Sequence, residues 1–170
     1  MNYWVTADTH LGHMAMIEKC GRPDDFSRRI VNNTAAIVQE GDVLIHLGDF
    51  CLYADEFWNE QFSSKVLGKH WLVRGNHDRK TSSWYLSRGW DCVVERLDMS
   101  LFGVDIAFTH RPVWPHMLEA GQLNIHGHHH NTRHHPEDEV TFQHRCINVE
   151  DNNYGPINLR RVIETWGKKC

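Results

Sequence analysis

The chain lacks any close pair of cysteines. Its five (Cys20, Cys51, Cys92, Cys146 and Cys170) are an odd, scattered set without a C-x-x-C spacing. Such a set supports neither a disulfide framework nor a zinc knuckle, and reads as reduced thiols in a cytoplasmic protein. Cys51 lies near a candidate ligand, but packing explains it better than chemistry. No apolar run is long enough to span a bilayer, so no membrane partner is expected. A secretory pattern is missing too, because Met1 leads almost at once into an apolar segment. Nor is there an excess of basic charge. The net charge is −4 with histidine neutral, which gives no overall field to gather nucleic acid. Arg160, Arg161, Lys168 and Lys169 remain as a local basic group. No repeat or long linker divides the 170 residues, and one domain over 1–170 is expected.

Histidine is what the chain has in excess. There are fourteen, concentrated between His110 and His144, against an ordinary 41% apolar and 24% charged background. Enrichment of this kind reads first as metal binding, with a solvated loop as the plainer alternative.

Short β-branched and aromatic runs alternate with helical spacing in the first half. Tyr3-Trp4-Val5-Thr6-Ala7, Val43-Leu44-Ile45-His46-Leu47 and His70-Trp71-Leu72-Val73 read as strands. Asp24 to Val38 and Ala54 to Val66 read as helices, closed by Gly41 and Gly68. Three strand-loop-helix units in a row favour parallel strands. In the second half, Cys92–Val94, Ser100–Phe102, Ile106–Phe108, Leu123–Ile125 and Arg145–Val149 are strand-like, with a hairpin turn within Phe102–Asp105. Ile157 to Ile163 offers a last strand. The expected architecture is α/β: a four-layer α-β-β-α sandwich, with two sheets face to face and helices outside.

Strand after strand runs into a polar segment built from Asp, Asn and His. In order these are Asp8-Thr9-His10, Gly48-Asp49, Gly75-Asn76-His77-Asp78, Thr109-His110 and Gly127-His128-His129-His130. Sheets of this class bind ligands beyond the carboxyl ends of their strands, so the five segments can converge on one site. Residues two apart in an extended chain share a side, which pairs Asp8 with His10 and His128 with His130 and turns His129 elsewhere. Each block alone is an ordinary turn; the set in this order is not.

These blocks, D-x-H, G-D, G-N-H-D, H and G-H-x-H, resemble the motif series of the calcineurin-like metallophosphoesterases. Gly12-His13, Cys20-Gly21-Arg22-Pro23 and Tyr154-Gly155-Pro156-Ile157 further resemble a small prokaryotic and phage subgroup of that family. The resemblance implies the same four-layer sandwich and two divalent ions. It implies Asp8, His10 and His130 on one metal, and Asn76, His110 and His128 on the other. Asp49 would bridge them, a hydroxide held between the ions would be the nucleophile, and His77 would stay outside as general acid to the leaving alkoxide. Asp78 would either orient His77 or cap the loop. Oxygen and nitrogen ligands without thiolate fit Mn²⁺, Fe²⁺, Ni²⁺, Co²⁺ or Zn²⁺, and the resemblance favours manganese or iron.

His13 and Arg111 are candidate phosphate contacts, with Arg74 a weaker one. His126 reads as a satisfied structural histidine, and His134 and His135 as a solvated loop. Trp4, Trp71 and Trp166 read as core. Trp84, Trp90 and Trp114 could line a cleft, though packing is the preferred reading. The Gly48-Asp49-Phe50-Cys51-Leu52 block lacks the G-D-x-x-D-R-G extension of protein phosphatases, which disfavours that activity. A phosphodiesterase acting on cyclic nucleotides, nucleotides or small diesters is the first expectation. A nuclease or phosphomonoesterase follows, and a scaffold without catalysis comes last because every ligand type and His77 are present.

Overall fold

The computed structural model describes residues 1–130 and 139–166. His134, His135, Lys168, Lys169 and Cys170 lie outside them. Among the described residues no helix is long and apolar enough to cross a membrane.

Alternation along the strands builds two cores. In β2 (Val43–His46), Val43 and Ile45 enter one and Leu44 enters the other. Parallel registers join β2 to β1 (Tyr3–Thr6) and to β3 (Lys69–Val73), and β3 to β4 (Cys92–Val94). The connections carry helices α1 (Met16–Cys20), α2 (Phe26–Ile37), α3 (Asp55–Ser63) and α4 (Ser82–Leu86). A second sheet contains β5 (Arg96–Leu101), β6 (Val104–Thr109), β7 (Leu123–His126) and β8 (His144–Cys146), in that order. Only its β5–β6 pair is antiparallel. Their hairpin turns at Phe102-Gly103, with φ of 55° and 79° as a tight primed turn requires.

Leu44, Leu72, Phe26, Ile30, Phe50, Phe62 and Trp90 fill the core under the helices. Val5, Ile45, Val73, Ile106, Phe108, Leu123 and Ile125 fill the core between the sheets. The result is the expected α/β sandwich of two mixed sheets with flanking helices. Outside the second sheet, Asn124 and His144 bond to Val113, which holds the segment with the 3-10 turn Pro115–Met117 in place.

Two strand expectations are cut short: of Arg145–Val149 only Arg145–Cys146 lies in a strand, β8. Ile157–Ile163 is not a strand: only Ile157–Asn158 (β9) pairs, antiparallel to β1, and Leu159–Thr165 is helix α5. Asn158 caps that helix by accepting from the Arg160 N–H at 3.0 Å. Leu159 and Val162, three apart, then enter the inter-sheet core on one face. Helices α1 and α4, five residues each, lie in stretches where the sequence pattern indicates no element.

Candidate metal centre

The polar segments after β1, β2, β3, β6 and β7 meet at one end of the sheets. Backbone bonds lace the first two together: Asp8 N–H to the Gly48 carbonyl at 3.0 Å and His10 N–H to the Asp49 carbonyl at 2.9 Å. Asp8, His10, Asp49 and His128 all have φ between 46° and 72°, a region that costs non-glycine residues energy and concentrates at functional sites. Asp8 and His10 therefore share a side through a left-handed turn, not through the extended chain assumed from their spacing. Glycines make the approach possible. A Cβ on Gly75 would strike the Asp49 carboxylate and N–H, and one on Gly127 would strike Asp8 Oδ2 and the Ala7 Cβ.

Seven predicted ligands are brought together in two groups. Asp8, His10 and His130 place one donor atom each within 4.8 Å of one another, as do Asp49, His110 and His128. Asp49 Oδ2 stands between the groups, 3.5 Å from His10 Nε2 and 3.5 Å from His110 Nε2. Asn76 Oδ1 joins the second group, 3.0 Å from His110 Nε2. His110 donates its Nδ1–H to the Leu47 carbonyl at 2.8 Å, which leaves the Nε2 lone pair aimed at the Asn76 and Asp49 oxygens. Acceptors facing acceptors across a buried space are what a cation requires.

The charges agree. Asp8 is fully buried, its Oδ1 has no hydrogen-bond partner, and burial together with the nearby Asp49 carboxylate raises its pKa well above the usual range. Burial, with His130 and Arg22 nearby, keeps His10 neutral, the form that binds metal. Burial also lowers His110, although Asp49 pulls the other way. The donor set thus fits two divalent ions.

His77 sits over the junction without belonging to either group. Its N–H donates to Asp49 Oδ1 at 2.8 Å, its Nε2 is 3.9 Å from Asp49 Oδ2, and its side chain is 31% exposed. Asp78 does not serve it. The Asp78 carboxylate accepts from the N–H groups of Asp49 (2.8 Å), Phe50 (3.0 Å) and Gly75 (2.8 Å), so it caps the loop crossing and fixes Asp49. Burial pushes Asp78 up to about 7 despite these donors. His13 lies at the rim, 5.4 Å from the His10 ring and 6.4 Å from the His77 ring.

Arg111 is exposed and lines a cavity of about 390 Å³ with Asn76, His110, Trp114 and Met117. Arg74 borders the same cavity, but its guanidinium is bound to Glu95 and to the carbonyls of Asp78 and Lys80. Trp114 is 50% exposed and so is not packed away, unlike Trp90, which is buried and donates to Asn59. Trp84 stacks under Arg88, away from this cavity.

Two residues beside the site were not legible in the sequence. Arg22, buried, donates to the carbonyls of Asp8 and Thr9 at 2.7 Å and pairs with Glu150 at 2.7 Å. Glu150 in turn stands 3.3 Å from His130 Nδ1. The Cys20-Gly21-Arg22-Pro23 block carried a hint of Arg22; nothing in the sequence marked Glu150.

The family model for calcineurin-like phosphoesterases matches residues 1–154. No curated protein matches at a significant level. Among solved structures, the protein of unknown function AQ665 from Aquifex aeolicus is similar over 96% of this chain and 98% of its own, with a TM-score of 0.75 and 24% identity. YfcE, a phosphoesterase from E. coli, is similar over 87% of this chain and 78% of its own, with a TM-score of 0.50 and 18% identity. At these identities the two structures show a common fold. With the motif series, the sandwich and the paired donor groups in place, the chain belongs to the calcineurin-like phosphoesterase family of metal-dependent hydrolases that act on ester bonds.

Proposed function

We propose that the chain is a phosphodiesterase for small, nucleotide-like esters, a single domain over 1–170. The observation that carries the site assignment is the position of Asp49 Oδ2, shared at 3.5 Å by a histidine of each donor group. Asp8, His10 and His130 would hold one ion and Asn76, His110 and His128 the other, with Asp49 common to both. The nitrogen and oxygen donors suit Mn²⁺ or Fe²⁺, and the absence of disulfides among the described cysteines suits a cytoplasmic setting. When bound, such a pair activates water as a nucleophile at neutral pH and stabilises charge on phosphoryl oxygens.

The protein's own groups do the rest. The Asp78 carboxylate holds Asp49 in register by accepting from the N–H groups of both Asp49 and Gly75. His77, tied to Asp49 through its own N–H, carries the proton that passes to the leaving alkoxide. His13 at one rim and Arg111 at the other bind the non-bridging phosphate oxygens. The cavity bounded by Arg111, Trp114 and Met117 receives the ester's organic group, and the exposed Trp114 ring gives it a stacking surface.

The test is hydrolysis of bis-p-nitrophenyl phosphate and of an alkyl nucleotide diester with added Mn²⁺. His77→Ala should keep its metals and lose roughly 10²–10⁴-fold in turnover of the alkyl ester. Unchanged turnover refutes the acid assignment. Faster cleavage of monoesters than of diesters refutes the substrate class.

A further inference from the structure

Behind the loop that carries His128 and His130 lies another donor cluster, made of side chains that the paired centre does not use. His126 at the end of β7, His129 in the loop, and Cys146 at the end of β8 each bring a ligand atom within 4.8 Å of the other two. Sheet register fixes two of them, because β7 and β8 pair in parallel with His126 opposite Cys146. The Ile147 N–H then donates to the His126 carbonyl at 2.7 Å and locks that end. A turn places the third: the His129 N–H donates to the Gly127 carbonyl at 2.9 Å, and its ring comes back to 5.4 Å from the His126 ring at 80°. His126 is 1% exposed and His129 7%.

The Gly127 carbonyl orders the cluster, since the Cys146 thiol points to it at 3.8 Å. His126 donates its Nδ1–H to the Gly127 carbonyl at 2.9 Å, so its lone pair sits on Nε2. Metal-bound histidines are commonly held by such a bond to the other ring nitrogen. His144, with its ring 6.1 Å from that of His126, is not part of the cluster: its Nδ1 accepts from Thr141 and its Nε2 donates to Val113. Two imidazoles and a thiol are also a softer set than the carboxylate, amide and imidazole groups of the paired centre.

We propose that His126, His129 and Cys146 form a third metal site, for a zinc-class cation, separate from the paired centre. Tetrahedral zinc at about 2.0–2.1 Å from nitrogen and 2.3 Å from sulfur needs donors roughly 3.3–3.6 Å apart, inside the 4.8 Å that bounds the cluster. The thiol gives its proton to solvent as the metal binds. Water completes the fourth position. The ion ties β7, β8 and the Gly127–His130 turn together, and so braces the two ligands that flank His129 in sequence.

Cobalt separates this site from the paired centre, whose donors include no thiolate. The full chain, stripped of metal and titrated with Co²⁺, should develop a near-ultraviolet thiolate-to-cobalt charge-transfer band, beyond the weaker bands of the nitrogen and oxygen sites. Cys146→Ser should abolish that band, whereas Cys20→Ser, Cys51→Ser and Cys92→Ser should keep it. His129→Gln should shift the band's midpoint to at least tenfold higher cobalt, which keeps the proposal testable if Cys146→Ser does not fold. Absence of the band in the wild-type protein, its persistence in Cys146→Ser, or an unmoved midpoint in His129→Gln would each overturn the assignment.

Discussion

Glu150→Gln should weaken one metal and spare the other. Glu150 lies 3.3 Å from His130 Nδ1, while His130 Nε2 is 4.0 Å from Asp8 Oδ1. A carboxylate accepting the Nδ1–H fixes the tautomer that presents Nε2 to the metal and makes that nitrogen more basic. Losing such a partner costs about 10–100-fold in metal affinity, or about 1.4–2.7 kcal/mol. Asp49, His110 and His128 make no bond to Glu150 among the described contacts, so their metal should bind as before. Stepwise Mn²⁺ titration of the metal-free protein by calorimetry reads both events.

Folding stability supplies the control. Glu150 also compensates the buried Arg22, and breaking a buried pair costs roughly 3–5 kcal/mol, less here because glutamine still accepts a hydrogen bond. The same carboxylate sets a pH dependence. Burial works against its charge, but the bonds from His130 and Arg22 prevail and hold its pKa below the ordinary value. Its contribution is therefore complete above the unfolded value of about 4.3 and is lost as the pH falls through the lower folded value. Glu150→Gln should flatten that acid limb. Equal weakening of both metals, or of neither in a folded variant, would refute the reasoning.

Other perturbations follow from the same contacts. Gly127→Ala drives a methyl into Asp8 Oδ2 and the Ala7 Cβ, so it should lower melting temperature by an overpacking cost of about 1–3 kcal/mol and weaken binding at Asp8 first. Because the Asp8 carboxyl holds its proton well above the usual range, a cation must displace it. Mn²⁺ affinity should thus rise with pH, and calorimetry in buffers of different ionisation enthalpy should count protons released; a pH-independent affinity would contradict this. Trp114→Ala should raise KM for nucleotide diesters more than for bis-p-nitrophenyl phosphate, and equal effects would detach that ring from the cleft.

The site was more legible than the fold that delivers it. Asp, Asn and His recurring at strand ends survive any error of a residue or two in element bounds, because each block carries its own turn. Asp8 and His10 show how such a reading can reach the right pair through the wrong backbone: their common side comes from positive φ at both. Helix α5 was misread because Ile157–Ile163 is short and half apolar, and only the Asn158 cap decides its period. Glu150 was illegible for another reason. It meets Arg22 from 128 residues away, and a contact so distant leaves no spacing to read. Asp78 was visible as a polar loop residue, but its three backbone bonds depend on where β2 and β3 end in space.

The account turns on Asp49 lying between two cations. Anomalous scattering from Mn²⁺-loaded crystals should show two peaks about 3.5–4 Å apart, one on each side of the Asp49 carboxylate. A single peak, or two peaks with Asp49 bound to neither, would contradict it.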